Sequence, residues 1–294
     1  MHRGVLYAGS FDDGLCSFDG ERFVRVAASD ALPSPMVNYL SSDGTRLYIA
    51  TARGLSVLEP EGRLRSFVHV DCERNLRGAC PWHASVNGVT TDSVTGTSWL
   101  SDLGALHSLT FTDGTNESDD VSFSHVGSAR IGSAALTKLA AHAGVVAVGS
   151  SDRGVLVRKG KRFVAVDAHA GLADDWVMDL AFDVGGELWV ATCTRGVSRI
   201  DARGAIRTLT TADGLVDDYT LSVNVLAGRL WVGTLSGVSV HDPRSGRVIA
   251  AFSTKNGLSG AEVHDAVVFD GRVFLGTDAG ISVIAELLAE RGST

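Results

Sequence analysis

The stretch of sequence that decides the fold runs from Gly171 to Val197 and reads GLADDWVMDLAFDVGGELWVATCTRGV. The unit that it opens has four apolar segments, at residues 176–182, 188–192, 197–200 and 205–209. Turns rich in aspartate and glycine separate these segments, which is typical of short antiparallel strands. The unit therefore predicts one four-stranded antiparallel sheet.

The same unit recurs along the chain, each time with a glycine between its second and third strands. These turn glycines are Gly14, Gly54, Gly104, Gly154, Gly196, Gly237 and Gly280, and they are separated by 40, 50, 50, 42, 41 and 43 residues. A period of this length indicates propeller blades rather than a helical solenoid. We therefore expect an all-β, seven-bladed β-propeller that occupies residues 1–294 as a single domain.

The two ends of the repeat are incomplete. Second and third strands occur seven times, whereas the first unit lacks an inner strand and the last unit lacks an outer one. Seven blades with incomplete terminal blades is the first prediction, and a six-bladed propeller with an additional N-terminal hairpin is the alternative. The pattern of residues 284–291 predicts a helix that covers the final edge.

One large aromatic side chain opens the second strand of most units. These residues are Tyr7, Tyr48, Trp99, Trp189, Trp231 and Phe274. A four-stranded sheet of about 40 residues cannot bury its two apolar faces alone, so blades must pack face to face. We expect the aromatic rings to be buried between neighbouring blades.

Composition and charge limit the classes of partner. The chain has 294 residues, 45% of them hydrophobic, and a net charge of −8, so nucleic acid is not an expected partner. The sequence has no apolar stretch long enough for a membrane helix, so we expect no membrane insertion. The sequence as written contains no targeting signal, from which we expect a cytoplasmic protein. If a signal peptide has been removed, we expect the periplasm or the outside of the cell instead.

The Gly171–Val197 unit resembles the two-component regulator propeller repeat. That repeat has the approximate pattern Gly-Leu-Pro, a strand, Asp-x-x-Gly, Leu-Trp-Ile-Gly-Thr and Gly-Leu, and the match is close in three units and extends to residues 31–37. The resemblance implies a propeller that acts as a sensor or an interaction scaffold, as in the sensor domains of membrane histidine kinases. The kinase and transmembrane parts of such proteins are not in this sequence.

The loops that lead into the innermost strands are the candidate binding site, because propellers bind ligands at the channel mouth on the top face. Aligning these loops places an acid at the same position in three blades, as Asp175, Asp218 and Glu262, with Asp174 and Asp217 alongside. We expect this acidic arc to bind a cationic protein segment or small molecule. The aromatic residues Trp176 and Tyr219 offer flat contacts, and the alternative is that the acids only begin solvated turns.

A propeller enzyme of the lyase or hydrolase type is the alternative function. It would use His264 and Glu262 for acid–base chemistry, together with His83, if the three converge on one pocket. The motifs of serine hydrolases, phosphate-binding loops and zinc proteases are absent from the sequence. The non-enzymatic function is therefore the favoured one.

One loop combines cysteine and histidine residues, His69, Cys72, Cys80 and His83. Two cysteines and two histidines can satisfy tetrahedral zinc, a disulfide between Cys72 and Cys80 is a second possibility, and free thiols are the third. The acidic segment 113–120 is a weak candidate for calcium. Zinc and calcium are thus open possibilities, but no cofactor is expected.

Overall fold

The computed structural model describes residues 1–68, 85–102, 104–111, 121–126, 135–160 and 162–285. Within these residues the strands form seven antiparallel sheets, five with four strands and two with three. The chain is an all-β, seven-bladed β-propeller, and the six-bladed alternative is wrong. Two compact units are present, residues 1–165 and 166–294, and the expectation of a single domain stays a prediction.

The first unit contains blades 1 to 4. The strands of blades 1 and 2 are β1 (Tyr7–Gly9), β2 (Leu15–Phe18), β3 (Phe23–Arg25), β4 (Val37–Ser42), β5 (Leu47–Thr51), β6 (Gly54–Leu58) and β7 (Leu64–Phe67). Those of blades 3 and 4 are β8 (Val86–Thr91), β9 (Ser98–Asp102), β10 (Leu106–Phe111), β11 (Val121–His125), β12 (Leu136–His142), β13 (Val145–Ser150), β14 (Val155–Lys159) and β15 (Arg162–Val166).

The second unit contains blades 5 to 7. Their strands are β16 (Val177–Phe182), β17 (Leu188–Thr192), β18 (Val197–Ile200), β19 (Ile206–Leu209), β20 (Thr220–Leu226), β21 (Arg229–Thr234), β22 (Gly237–His241), β23 (Val248–Phe252), β24 (Val263–Phe269), β25 (Arg272–Thr277) and β26 (Gly280–Ile284). Within this unit the first strands β16, β20 and β24 lie next to one another.

The terminal blades are incomplete in the way the sequence predicts. Blade 1 consists of β1, β2 and β3, and the paired strands β1 and β2 are the second and third strands of the repeat. Blade 7 consists of β24, β25 and β26 and has no fourth strand among the described residues. Of the helix predicted at residues 284–291, Ile284 instead ends β26, and residues 286–291 lie outside the described part of the chain.

The second strands of blades 2 and 5 are buried on both faces. All five residues of β5 and all five of β17 are buried. A strand covered on both faces reads as a continuous apolar run instead of an alternating one. This explains why the Leu-Trp-Val-Ala-Thr stretch of residues 188–192 carries the strongest fold signal.

The aromatic side chains at these strands pack between blades. Trp189 lies in a cluster with Leu215 and Val223 of blade 6, and Trp231 lies in a cluster with Val263 of blade 7. Both tryptophans are almost fully buried, as are Tyr48, Trp99 and Phe274, whereas Tyr7 is half-buried. The prediction that these rings lie between blades is confirmed for Trp189 and Trp231.

The turn between the second and third strands is closed by a threonine and a glycine. The Thr192 Oγ1 donates to the carbonyl of Gly196 at 2.7 Å, and Thr234 does the same to Gly237 at 2.9 Å. Gly196 has φ +78°, and a Cβ on it would collide with the Leu209 carbonyl on the fourth strand. Only glycine fits here, because the backbone is left-handed and the fourth strand lies against it.

Among the described residues no helix has the length and apolar character needed to cross a membrane.

We expect Gly196→Ala to lower the free energy of unfolding by more than ~2 kcal/mol, because a left-handed alanine is strained and its methyl group also clashes with Leu209. Gly204→Ala is the matched control, because Gly204 has φ +84° and open space around a Cβ. The control should lose only about 1 kcal/mol, the cost of the backbone conformation. Urea unfolding of both variants measures the difference, and equal losses would contradict the role of the fourth strand.

Candidate functional site

The loops that lead into the first strands of the second unit share one construction. We call them the approach loops, residues 167–176, 210–219 and 253–262. Each begins with a short 3₁₀ helix, which is Ala168–Ala170, Thr211–Asp213 or Thr254–Asn256. In each case a polar side chain caps the helix and a left-handed glycine ends it. The leucine that follows, as in Leu215, is buried against the next blade.

The acids Asp175 and Asp218 close their own approach loops. The Asp175 Oδ1 accepts a hydrogen bond from the N–H of Ala168 at 2.7 Å. The Asp218 carboxylate accepts from both the N–H and the hydroxyl of Thr211, at 2.7 and 3.2 Å. Carboxylates at the N-terminal end of a helix satisfy N–H groups that have no partner within the helix. Both acids therefore hold the local structure of the loop.

Asp174 and Asp217 join the approach loop to the turn between the second and third strands. Asp174 accepts from the Thr194 hydroxyl at 2.6 Å and from the N–H of Trp176 at 3.2 Å. Asp217 accepts from the Ser236 hydroxyl at 2.6 Å and from the N–H of Tyr219 at 3.0 Å. The same bonding in two adjacent blades fixes the backbone of the two aromatic residues.

The hydrogen bonds also set the pKa of Asp174. Burial alone would raise the pKa, but the bonds from Thr194 and from the N–H of Trp176 outweigh it, so the pKa lies below the usual aspartate value. Next to this carboxylate, burial and the negative charge of Asp174 raise the pKa of the Cys193 thiol. The site thus keeps a carboxylate charged and a thiol neutral near pH 7.

Glu262 does not occupy the position that the sequence alignment gave it. The carbonyls of Trp176, Tyr219 and Glu262 accept equivalent hydrogen bonds from the strand-connecting turns, at 2.9, 3.1 and 3.2 Å. Glu262 therefore aligns with Trp176 and Tyr219, and Ala261 stands where Asp175 and Asp218 stand. The prediction that Glu262 aligns with Asp175 and Asp218 is therefore wrong by one residue. Counting from the loop glycines Gly171, Gly214 and Gly257 gives the correct alignment.

In blade 7, the carboxylate that holds the approach loop comes from the turn between the second and third strands. Gly260 occupies the position of Asp174, and a Cβ there would collide with the Asp278 carboxylate. Asp278 accepts the N–H of Glu262 at 3.1 Å, the bond that Asp174 makes to Trp176 in blade 5. Asp278 is not among the residues predicted from the sequence. Its signal in the sequence is that Gly260 stands where blades 5 and 6 have Asp174 and Asp217.

Trp176, Tyr219 and Glu262 form what we call the rim row. They lie at the same position of three consecutive blades, directly before β16, β20 and β24. Trp176 and Tyr219 are each 49% exposed. The Glu262 side chain is 44% exposed. The second unit therefore presents two half-exposed aromatic faces and one carboxylate on equivalent backbone sites.

His264 lies close to Glu262, as the enzymatic alternative requires. The His264 Nε2 is 3.5 Å from the Glu262 Oε2, and the two side chains are 39% and 44% exposed. An imidazole and a carboxylate at this distance can exchange a proton with a bound molecule. His83, the third residue of that alternative, lies outside the described residues.

The metal and disulfide candidates lie outside the described part of the chain. These are His69, Cys72, Cys80 and His83, within residues 69–84, and the acidic segment 113–120. In the part that is described, no group of three or more His, Cys, Asp and Glu side chains is arranged to hold a metal ion. The described cysteines, Cys16 and Cys193, are free thiols.

Comparisons with known proteins show similarity in fold. No protein-family model matches the chain, and no curated protein matches it. PorZ, a bacterial surface component of the type-IX secretion system of Porphyromonas gingivalis, matches with a TM-score of 0.71 and 14% identity. The match covers 97% of this chain and 46% of PorZ, so the chain spans less than half of that protein. U3-55K matches with a TM-score of 0.67 and 12% identity, over 95% of this chain and 91% of that one.

Extracellular domains of two-component system proteins are also among the structural neighbours. That of BT3049 from B. thetaiotaomicron, described as part of a hybrid two component system, has 17% identity and a TM-score of 0.42. The match covers 96% of this chain and 49% of that one. Similarity this weak supports no shared function. The matches to PorZ and U3-55K show the fold alone.

Asp174→Asn should lower the free energy of unfolding most at neutral pH. Because the folded-state pKa of Asp174 is depressed, its charge contributes stability above the unfolded pKa of about 4, and this stability is lost as the pH falls through the folded pKa. The difference between wild type and variant should therefore shrink below pH ~4. Urea unfolding at several pH values measures it.

Asp152→Asn, at an exposed aspartate, is the control and should stay close to wild type throughout. A difference for Asp174→Asn that is constant from neutral pH to pH ~3 would contradict the stabilising role of the charge.

Proposed function

We propose that this protein is a non-enzymatic recognition module that binds a cationic segment or small amine at the rim row of its second unit. The observation that carries the proposal is the pair of half-exposed aromatic side chains, Trp176 and Tyr219, at equivalent sites of adjacent blades. Large aromatic side chains that stay exposed at fixed positions are a common feature of binding surfaces.

The chemistry of the row suits a positive charge. Aromatic faces attract ammonium and guanidinium groups, and Glu262 supplies a carboxylate at the third position of the row. The approach loops add the carboxylates of Asp174, Asp175, Asp217 and Asp218, which accept hydrogen bonds from the loops and from the adjoining turns. A ligand of the opposite charge is favoured by the local field and by the net charge of −8.

The backbone of the row is held before any ligand arrives. Asp174 and Asp217 each bridge two segments of chain about 20 residues apart, and each fixes the N–H of an aromatic residue. A preorganised surface loses less conformational entropy on binding. This supports recognition by a rigid face.

We infer that this recognition module acts as a sensor or as an interaction scaffold. The resemblance to the two-component regulator propeller repeat supports it. A basic segment of another protein and a small amine share the chemistry that the rim row recognises.

The second candidate is a lyase or hydrolase, favoured by the 3.5 Å approach of His264 to Glu262. It requires a third polar group in the same pocket. The rim row needs no such group, and recognition is therefore the function that we infer.

The double variant Trp176→Ala with Tyr219→Ala tests recognition with an acetylated pentalysine amide as the probe. Two exposed cation–π contacts are worth about 1–2 kcal/mol together, so affinity should fall roughly fivefold to thirtyfold. Calorimetric titration at low and moderate salt measures the loss, and added salt should weaken wild-type binding as well.

Val184→Ala, at a valine 98% exposed in the turn after β16, is the control and should bind like wild type. Unchanged affinity of the double variant, or equal binding of a pentaglutamate peptide, would contradict the proposal.

A further inference from the structure

The outer edge of blade 7 differs from the edges of the complete blades in the same unit. In blades 5 and 6 the third strand lies between the second and the fourth, whereas β26 pairs only with β25 among the described residues. The third strand of blade 7 therefore presents its own backbone at the edge. Such an edge is a template for an added strand.

The third strand of blade 7 is less buried than the third strand of blade 6. In blade 6, Val238 and Val240 of the third strand are fully buried. Val283, which occupies the place of Val240 in blade 7, is 46% exposed, and Ile281 is half-buried. Val238 and Val240 pack against Val263 of blade 7 and against Phe252 of their own fourth strand, whereas their counterparts on β26 are more exposed.

Gly280 shows that the backbone of blade 7 is already shaped for a fourth strand. In blades 5 and 6, a Cβ on Gly196 or Gly237 would collide with the carbonyl of Leu209 or Phe252, at the end of the fourth strand. Gly280 has the equivalent turn, with φ +115° and the Thr277 hydroxyl bonded to its carbonyl at 2.8 Å, yet no described residue lies within 4 Å of a Cβ there. Within the described part of the chain, the space that a fourth-strand carbonyl would occupy is open.

The serine of the third strand also has a different partner in blade 7. The hydroxyl of Ser198 pairs with that of Thr208 on the fourth strand at 3.1 Å, and Ser56 pairs with Ser66 in blade 2 at 2.8 Å. The hydroxyl of Ser282 instead pairs with Ser259 of its own approach loop at 2.8 Å. An incoming hydroxyl could rejoin this network, because a serine hydroxyl both donates and accepts.

We propose that the edge of β26 accepts an extended segment of another polypeptide, which adds as the fourth strand of blade 7. Blades 2 and 5 supply the pattern for its chemistry, since their fourth strands β7 and β19 read Leu-Arg-Ser-Phe and Ile-Arg-Thr-Leu. The last residue of each lies opposite the first apolar residue of its third strand, the place of Ile281. The segment is therefore apolar at both ends of four residues, with a small hydroxyl residue in the third position.

Charge favours the same pattern. The arginine in the second position of both strands gives the segment a positive charge, and the chain carries −8. Main-chain hydrogen bonds would supply affinity and the apolar end residues would supply register, as in other cases of strand addition. This site is separate from the rim row and does not depend on it.

The probe is an acetylated peptide with the sequence GRLRSFV, that of residues 62–68, titrated into the full chain. Binding should shift the backbone amide resonances of residues 281–284, and a scrambled peptide of the same composition should not. In Gly280→Ala the methyl group would occupy the place of the incoming carbonyl, so affinity should fall at least tenfold, a loss typical of a steric block at a strand edge.

Gly20→Ala is the matched control, because Gly20 has φ +110° and no described residue within 4 Å of a Cβ, and lies in the turn between β2 and β3 of blade 1. It should bind the peptide like wild type, which separates the block from backbone strain. Equal binding by both variants, or no binding by wild type, would overturn the proposal. Among residues 281–284, the amides that point away from β25 should exchange freely in the protein alone. Protection of these amides would also overturn the proposal, because residues after 285 or a second copy would then fill the edge.

Discussion

The burial of apolar sheet faces between neighbouring blades is the interaction on which the rest of the second unit depends. A four-stranded blade has two apolar faces, and Trp189 and Trp231 fill the spaces between blades 5 and 6 and between blades 6 and 7. Each ring removes ~150–250 Å² from water, which is worth on the order of 4 kcal/mol before unfolded-state corrections. This packing places the first strands side by side, and the approach loops then begin their strands at equivalent points.

The carboxylates of the approach loops have a structural role that changes how the acidic arc is interpreted. Asp174, Asp175, Asp217 and Asp218 all accept hydrogen bonds from the loops or from the turns opposite. Their oxygens are therefore partly committed, and the half-exposed rings of Trp176 and Tyr219 are the groups left to make direct contact. The acids supply the field and the rigid backbone, and the aromatic residues supply the contact surface.

The repeat of the sequence predicts blade number and strand order because strand-forming runs and turn glycines are local signals. The same signals identify the incomplete blades at both ends. The loop contacts are less predictable, since the bond between Asp174 and Thr194 joins residues 20 positions apart and depends on how tightly two turns approach. In blade 7 the carboxylate comes from Asp278 instead, and only the space left by Gly260 reveals this exchange.

Exposed apolar side chains alone do not distinguish the edge of β26 from the other outer strands. Val248 and Ile249 on β23 are 40% and 37% exposed, similar to Val283, yet they belong to a fourth strand that is already in place. The difference lies in the backbone next to the edge, because Gly280 keeps the turn that Gly196 and Gly237 need for a facing carbonyl. A local conformation that fits an adjacent strand, with open space where that strand would lie, is more specific than hydrophobicity as a sign of strand addition.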